Sequence, residues 1–263
     1  MSRPRSTRAC TGGAAPVVWT TAAEVQAALA AEAVPARVPD LARFFKTGPG
    51  EYGAGDRFRG LRVPQVRALV RRAEALPLGE VGVLVASSWH EDRLAGLLVA
   101  VRQFIRARDP AARRGLFDFY LEAARQGRIN NWDLVDVTAE HVVGGWLRGR
   151  PERVRTLDRL ARSRLLWERR IAVLATLHFI RLHEFDDTLR LAARLRDDVH
   201  PLMHKAVGWM LREVGKRDRA ALDAFLTAHA ARMPRTMLRY AIEKHPAAAR
   251  ASWLAAGRWP VGV

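Results

Sequence analysis

The sequence predicts an all-α fold, a curved superhelix of stacked helical repeats. Three observations carry that expectation. From about residue 19 onward apolar residues recur three and four apart, the spacing of one helix face, and alternating strand-like runs are nearly absent. Prolines punctuate the chain at Pro64, Pro77, Pro110, Pro151, Pro201 and Pro246, each suited to a first helical turn, where a missing N–H has no partner to lose. A faint repeat also runs through the helices: "HEDRLAGLLVAV" from His90 resembles "WERRIAVLATLHF" from Trp167, with Glu, Arg, an aliphatic residue and Ala in the same order. Ala172, Ala206 and Ala241 hold similar points in three helices, 34 and 35 residues apart. Small residues at equivalent points let stacked helices approach closely. The competing reading is a plain helical bundle with accidental similarity.

Taken in order, the first candidate helices span 20–34 and 37–46. They precede the one long irregular segment inside the fold, "TGPGEYGAGDRFRGLR" at 47–62. The motif Val63-Pro64 opens a helix over 64–75, the "HEDRL" motif one over 90–107, and Pro110 one over 110–125. The Asn pair Asn130-Asn131 precedes a helix at 132–146, and Pro151 opens 151–161. The second repeat copy predicts a helix over 165–181, followed by 184–195. Pro201 opens 201–216, and further helices follow over 218–231, 235–244 and, from Pro246, 246–255. Connections are short, so successive helices should pack antiparallel. Helix pairs repeating at this interval read as an α-solenoid of the HEAT or armadillo kind, with a concave binding face expected to be basic.

A single domain is expected over 19–256, with a disordered basic tail at 1–18 and a short C-terminal tail at 257–263. The first stretch, "MSRPRSTRACTGGAAPVV", is Arg- and Ser-rich and could imitate an organelle transit peptide, but Pro4, Gly12, Gly13 and Pro16 break an amphipathic helix there. Lys and Arg total 44 against 27 Asp and Glu, a net charge of +17, and Lys stands only at 46, 205, 216 and 244. A compositional bias of the source proteome could produce the Arg-for-Lys swap, so the weight rests on the net charge. It favours a polyanion, nucleic acid first and anionic membrane second. Cys10 is the one cysteine, which excludes an intrachain disulfide and a cysteine metal site and fits a reducing compartment. No apolar run is long enough to span a bilayer.

Against this basic background, "RINNWDLVD" at 128–136 places two carboxylates beside a Trp. Asn130 or Asn131 can cap the helix, and Asp133 follows with the spacing of a capping box. Trp132 and Asp136 are four apart and share a face, while Leu134, Thr138 and Val142 point away. A carboxylate on a phosphate-binding surface repels the ligand unless the substrate carries positive charge. Arg170 lies at the edge of an apolar face, where a guanidinium needs an anion, either Asp136 or a substrate phosphate. In the helix from Pro201, Met203, Val207, Met210 and Val214 form an apolar stripe, with Lys205, Trp209, Arg212 and Lys216 opposite. Trp209 among cations suits a sugar or base whose phosphates those cations hold. It can instead pack on a neighbouring repeat.

Other chemistries fit less well. "HEDRL" and "HEFDD" begin like a zinc-protease helix but lack the second His, so His90 and His183 read as helix-start residues. His200 and His204 are four apart without a third ligand nearby in sequence. Asp133 and Asp136 are too few carboxylates for a typical Mg²⁺ site. No Walker loop, dinucleotide fingerprint or serine nucleophile elbow is present.

The segments "NNWDLVD", "LWERRIAVL" and "KAVGWMLREVGK" resemble, in that order, signature segments of the AlkD-type DNA alkylation repair glycosylases, and "RFRGLRVPQVRALVRR" resembles that family's N-terminal segment. The resemblance runs from about residue 20 to 250; the ordered set is specific, each segment alone is not. It implies a HEAT-like α-solenoid that removes positively charged N3- and N7-alkylated purines from DNA without swinging the damaged base into a protein pocket. It implies Asp136 as the catalytic carboxylate, Trp132 and Trp209 as lesion-facing aromatics, and Arg170 as the active-site arginine. Arg62 stands where the better-known glycosylase has an uncharged polar residue beside the lesion, which bears on lesion preference. Asn131 replaces an aromatic of some members, an exchange expected to loosen contacts next to Trp132.

The expected function is therefore base excision repair by a monofunctional DNA-alkylpurine glycosylase, a hydrolase of N-glycosyl bonds. Lys205, Arg212, Lys216 and Arg62 are the expected DNA-binding residues. No cofactor and no metal are implied. The expected partner is double-stranded DNA containing alkylated purines, without membrane association, and the protein is expected to be a monomer in the bacterial cytoplasm or nucleoid. Two alternatives remain: a non-catalytic helical-repeat DNA- or RNA-binding protein, which leaves Asp136 unexplained, and a protein-interaction scaffold, which explains the solenoid alone.

Overall fold

A computed structural model describes residues 18–256. Both expected tails, apart from residue 18, and Cys10 lie outside these described residues. The chain forms α1 (Ala22–Ala31), α2 (Val38–Phe44), α3 (Val63–Leu69), α4 (Leu78–Val85), α5 (His90–Arg106), α6 (Pro110–Arg125) and α7 (Trp132–Asp136). There follow a π-helical turn at Glu140–Gly144, then α8 (Gly145–Leu147), α9 (Arg153–Ala161), α10 (Leu166–Ala175), α11 (Leu177–Ile180) and α12 (Asp186–Leu195). The C-terminal part consists of α13 (Pro201–Gly215), α14 (Arg219–His229), α15 (Arg235–Ala241) and α16 (Ala247–Ala256). Among the described residues no strand forms; Arg57 and Trp89 share an isolated bridge. The fold is an all-α helical-repeat solenoid, as the periodicity predicts.

Several helices start where their side chains dictate. Thr21 and Glu24 close a reciprocal capping box on α1. Asp109 accepts from the N–H groups of Ala111 and Ala112 before α6, and Asp218 accepts from Ala221 before α14. Three departures from the predicted elements have physical causes. Helix α4 has no counterpart in the predicted set: "LGEVGVLV" carries Gly79 and Gly82 and has poor local propensity. Packing supplies what propensity does not, since α4 lies so close to α5 that a Cβ at Gly96 would fall 2.8 Å from Val85 Cγ2 and 2.9 Å from Leu84 Cβ. The predicted helix 132–146 is divided, because Thr138 turns its hydroxyl back onto the Leu134 carbonyl and a π-turn follows. His183 does not start a helix; it sits at φ 61° in the turn between α11 and α12.

One continuous apolar core runs from Trp19 to Ile242. In α5 every residue from His90 to Val101 is buried. Farther along, α10 packs on α7, α9 and α13, and α13 packs on α10, α12, α14 and α15. Ala172, Ala206 and Ala241 are all buried where the repeat places them. The closest approaches occur at glycines. A Cβ at Gly208 would lie 2.5 Å from the Met237 carbonyl oxygen and 2.6 Å from Tyr240 Cβ, and one at Gly144 would meet Ala175 and His178 in the same way. The same helix-to-helix contact thus recurs in two parts of the stack.

Candidate active site

Asn131 has extended backbone at φ −145°, and its side-chain oxygen accepts the Trp132 N–H at 2.9 Å, which starts α7. Leu134, Val135 and Thr138 are fully buried, so the helix directs Trp132 and Asp136, four apart, into a cleft. Asp136 meets Arg170 from α10. Nε and Nη2 of Arg170 each donate to one Asp136 oxygen at 2.8 Å, and Nη1 donates to the Leu202 carbonyl in the first turn of α13 at 2.7 Å. One guanidinium therefore joins α7, α10 and α13. The Asp136 side chain is 14% exposed and that of Arg170 only 5%. Burial pushes Asp136 above the ordinary carboxylate range, with the charge and hydrogen bonds of Arg170 pulling it back and the charge of Asp133 adding to the rise. Asp136 is a sheltered carboxylate aimed by a bidentate partner.

The cleft encloses about 820 Å³ and is lined by Trp132, Trp209, Asp136, Arg170 and Lys205. Both tryptophans are half-buried. Phe45 stacks on Trp132 with centroids 5.4 Å apart, and Phe44 meets it edge-on at 5.6 Å. Phe44, 61% exposed, stands at the mouth of the cleft. Asn131 is itself fully buried. Trp209 donates its indole N–H to Glu213 at 3.2 Å.

The structure brings four predicted site residues together, Asp136, Trp132, Trp209 and Arg170, and adds Lys205 to their cleft. Arg62 is exposed at the start of α3 and lines a smaller cavity of about 310 Å³ that shares Trp132 and Asp136. Arg212 and Lys216 do not line the cleft: Arg212 pairs with Glu243, and Lys216 donates to Glu213 at 2.6 Å. Glu213 is buried, which alone would raise its pKa, but Lys216, Trp209 and Arg212 hold it below its ordinary value. The cations around Trp209 thus already have a carboxylate among them. Arg170 finds Asp136 as its anion; its three outward nitrogens are all engaged by protein.

Asp133 is not the second half of a capping box. It turns inward, where His90 Nε2 bonds it at 2.8 Å, while His90 Nδ1 faces Asp56 at 3.3 Å. Burial alone would lower the His90 pKa, but the charge and hydrogen bond of Asp133, with the hydrogen bond of Asp56, raise it to about 9. The imidazolium packs against both Phe45 and Phe58, with centroids 4.9 and 4.8 Å away, and those two rings stack on each other at 5.2 Å. Arg93 and Asn130 also bond Asp56, at 2.6 and 2.7 Å. The adjacent Glu91 accepts the backbone N–H groups of Arg59, Gly60 and Leu61 at 2.9, 2.9 and 3.1 Å. Asp92 accepts from Arg59 at 2.9 and 3.1 Å. The run "HEDR" is thus the anchor of the irregular 47–62 segment.

That segment carries Tyr52 into the cleft, a residue the sequence reading passed over. Four consecutive charged or titratable residues at the start of a buried helix were the available signal, since only a neighbouring segment could satisfy them. Tyr52 is half-buried, edge-on to Trp167 at 5.8 Å and to His200 at 6.4 Å. Burial raises the Tyr52 pKa, with a side-chain interaction from Trp132 opposing it, so the phenol is neutral at pH 7. Among the described residues no helix is long and apolar enough to cross a membrane.

Comparison with known proteins gives a consistent picture. The model of a family described as DNA alkylation repair enzyme matches residues 25–245. A solved structure from Enterococcus faecalis, described as a predicted DNA alkylation repair enzyme, superposes with a TM-score of 0.64 at 16% identity, covering 81% of this chain and 96% of that one. No curated protein matches the chain.

Proposed function

The chain belongs to the DNA alkylation repair enzyme family, and from that premise we propose that it is a monofunctional DNA glycosylase hydrolysing the N-glycosidic bond of cationic N3- and N7-alkylated purines in duplex DNA. One observation carries the reading: Asp136, held by Nε and Nη2 of Arg170 in a cleft with aromatic walls, on a chain of net charge +17. A sheltered carboxylate opposes DNA binding unless positive charge develops on the substrate beside it.

Alkylation at N7 or N3 makes the purine a cation and a good leaving group. The bond from C1′ to the purine nitrogen breaks, its electron pair neutralises the departing base, and the sugar becomes oxocarbenium-like. Asp136 stabilises that charge and orients a water whose oxygen bonds C1′; the released proton passes to Asp136 or to solvent. Arg170 positions Asp136 in this scheme rather than holding a phosphate. Trp132 and Trp209 lie against the deoxyribose and the cationic nucleotide, which needs no swing of the base into a closed cavity. Lys205 holds the backbone, and Arg62, Arg212 and Lys216 add to the positive field. No step needs a lysine nucleophile or a metal.

The test is Asp136→Asn on duplex DNA bearing 7-methylguanine. Excision should fall by roughly 10²- to 10³-fold while duplex binding persists. Undiminished excision by the variant would sink the mechanism. Wild-type protein that binds the duplex but releases no free base would instead support the non-catalytic binding reading. Lys205 borders the cleft but is not a nucleophile in this scheme, so borohydride should trap no protein–DNA adduct; trapping would make the enzyme a lyase.

A further inference from the structure

The 47–62 segment has no apolar periodicity, yet its position is strongly determined. Glu91 holds three successive backbone N–H groups of it, and Asp56 is locked by His90, Arg93 and Asn130. Positive φ at Gly50 and Gly55, 76° and 87°, lets the chain turn on either side of Tyr52. So much anchoring of an otherwise irregular stretch places one ring beside three helices: Tyr52 meets Trp167 of α10 and His200, the N-cap of α13, edge-on, and borders the cleft together with Trp132 of α7. These are the helices that Arg170 joins at Asp136.

Tyr52 does not disappear into the core. It remains half-buried and borders the same cleft as Trp132, Trp209 and Asp136. Glu51 beside it adds a carboxylate to the rim, with Oε2 accepting the Gly48 N–H at 2.9 Å. A neutral phenol has an electron-rich face, and such a face attracts a cation more strongly where water is excluded.

We propose that Tyr52 is a substrate-contact residue, a third aromatic wall that selects for positive charge on the nucleotide in the cleft. The inference rests on the glycosylase reading for the identity of that cation. It predicts a role for the ring and not for the hydroxyl, so Tyr52→Phe keeps the function and Tyr52→Leu, apolar and of similar bulk, loses it. A purely structural tyrosine would instead show equal effects on damaged and undamaged ligands.

The experiment compares wild type, Tyr52→Phe and Tyr52→Leu in two assays. The first is single-turnover excision of 7-methylguanine from duplex DNA, alongside binding of the undamaged duplex. The second is equilibrium binding of 7-methylguanosine against guanosine, followed by tryptophan fluorescence. The expected result for Tyr52→Leu is a loss of about three- to thirtyfold in excision and in preference for the methylated nucleoside. Undamaged-duplex binding should be unchanged, and Tyr52→Phe should be near wild type. Excision by wild type with Tyr52→Leu equal to it in both assays overturns the wall and leaves the glycosylase standing. Wild type that excises nothing, yet prefers 7-methylguanosine in a Tyr52-dependent way, keeps the wall and removes the glycosylase. Absence of that preference in wild type overturns the wall, as does an equal loss in all ligands.

Discussion

Arg170 and Asp136 show how one pair can be both a restraint and a tuning device. Burial raises Asp136, and Arg170 limits the rise. In the proposed reaction the carboxylate acts only when ionised, so excision should fall as pH drops through a value above the ordinary carboxylate range. Arg170→Ala removes the opposing charge, and the acidic limb of the pH–rate profile should then move to higher pH by roughly one to three pH units. The profile is measurable by single-turnover excision between about pH 4 and about pH 8, which brackets ordinary carboxylate and histidine titration. An acidic limb that stays in place would show that Asp136 does not set it. Asp133, three residues earlier, has a different fate despite the same chemistry, because its direction on α7 leads to His90 and not to the cleft.

Elements, more than single side chains, decide where that pair can form. Asp136 and Arg170 meet because α7 and α10 belong to adjacent layers, and α13 closes the third side through the Leu202 carbonyl. The layers approach closely at Gly208, where a Cβ would clash with the backbone of Met237 as well as Tyr240. Gly208→Ala should therefore destabilise the protein by about 1–3 kcal/mol, the cost typical of overpacking, against a small gain in helix propensity. Chemical denaturation would read this as a lower midpoint with unchanged slope. A variant as stable as wild type would mean that α13 and α15 separate without cost. The same element logic explains the 47–62 segment, an irregular stretch held by the polar start of α5 rather than by its own propensity.

At the scale of the molecule, a net charge of +17 predicts duplex binding that weakens steeply with salt, since each phosphate neutralised releases counterions. Lys205→Ala should lower affinity similarly for all sequences and reduce the slope of log affinity on log salt by about one. Arg212 is already paired with Glu243, so Arg212→Ala should change the slope less. Titration of duplex binding across salt concentrations measures both. Salt-insensitive binding would remove DNA as the polyanion and favour a protein-interaction scaffold.

The helical class, the small residues of the repeat and the shared face of Trp132 and Asp136 were legible from residue spacing, whereas the joining of Arg170 and Trp209 to them was implied only by the resemblance to a known family. Apolar spacing reports which face of a helix is buried, and four-residue offsets report which side chains share the opposite face. Of α4 local rules marked only the start, at Pro77, since its glycines argue against a helix until α5 packs on it. Nor could they reveal the turn of Asp133 toward His90, or the pairing of Arg212 with Glu243. Tyr52 was beyond their reach for the same reason. Its place depends on Glu91 and Asp56 closing contacts across 30 or more residues, and such contacts leave no periodic trace in sequence. The chain by itself determined the helices and the chemistry they carry. Tertiary packing decided which charges meet, because ion pairing and desolvation depend on distances that only the stacked helices set.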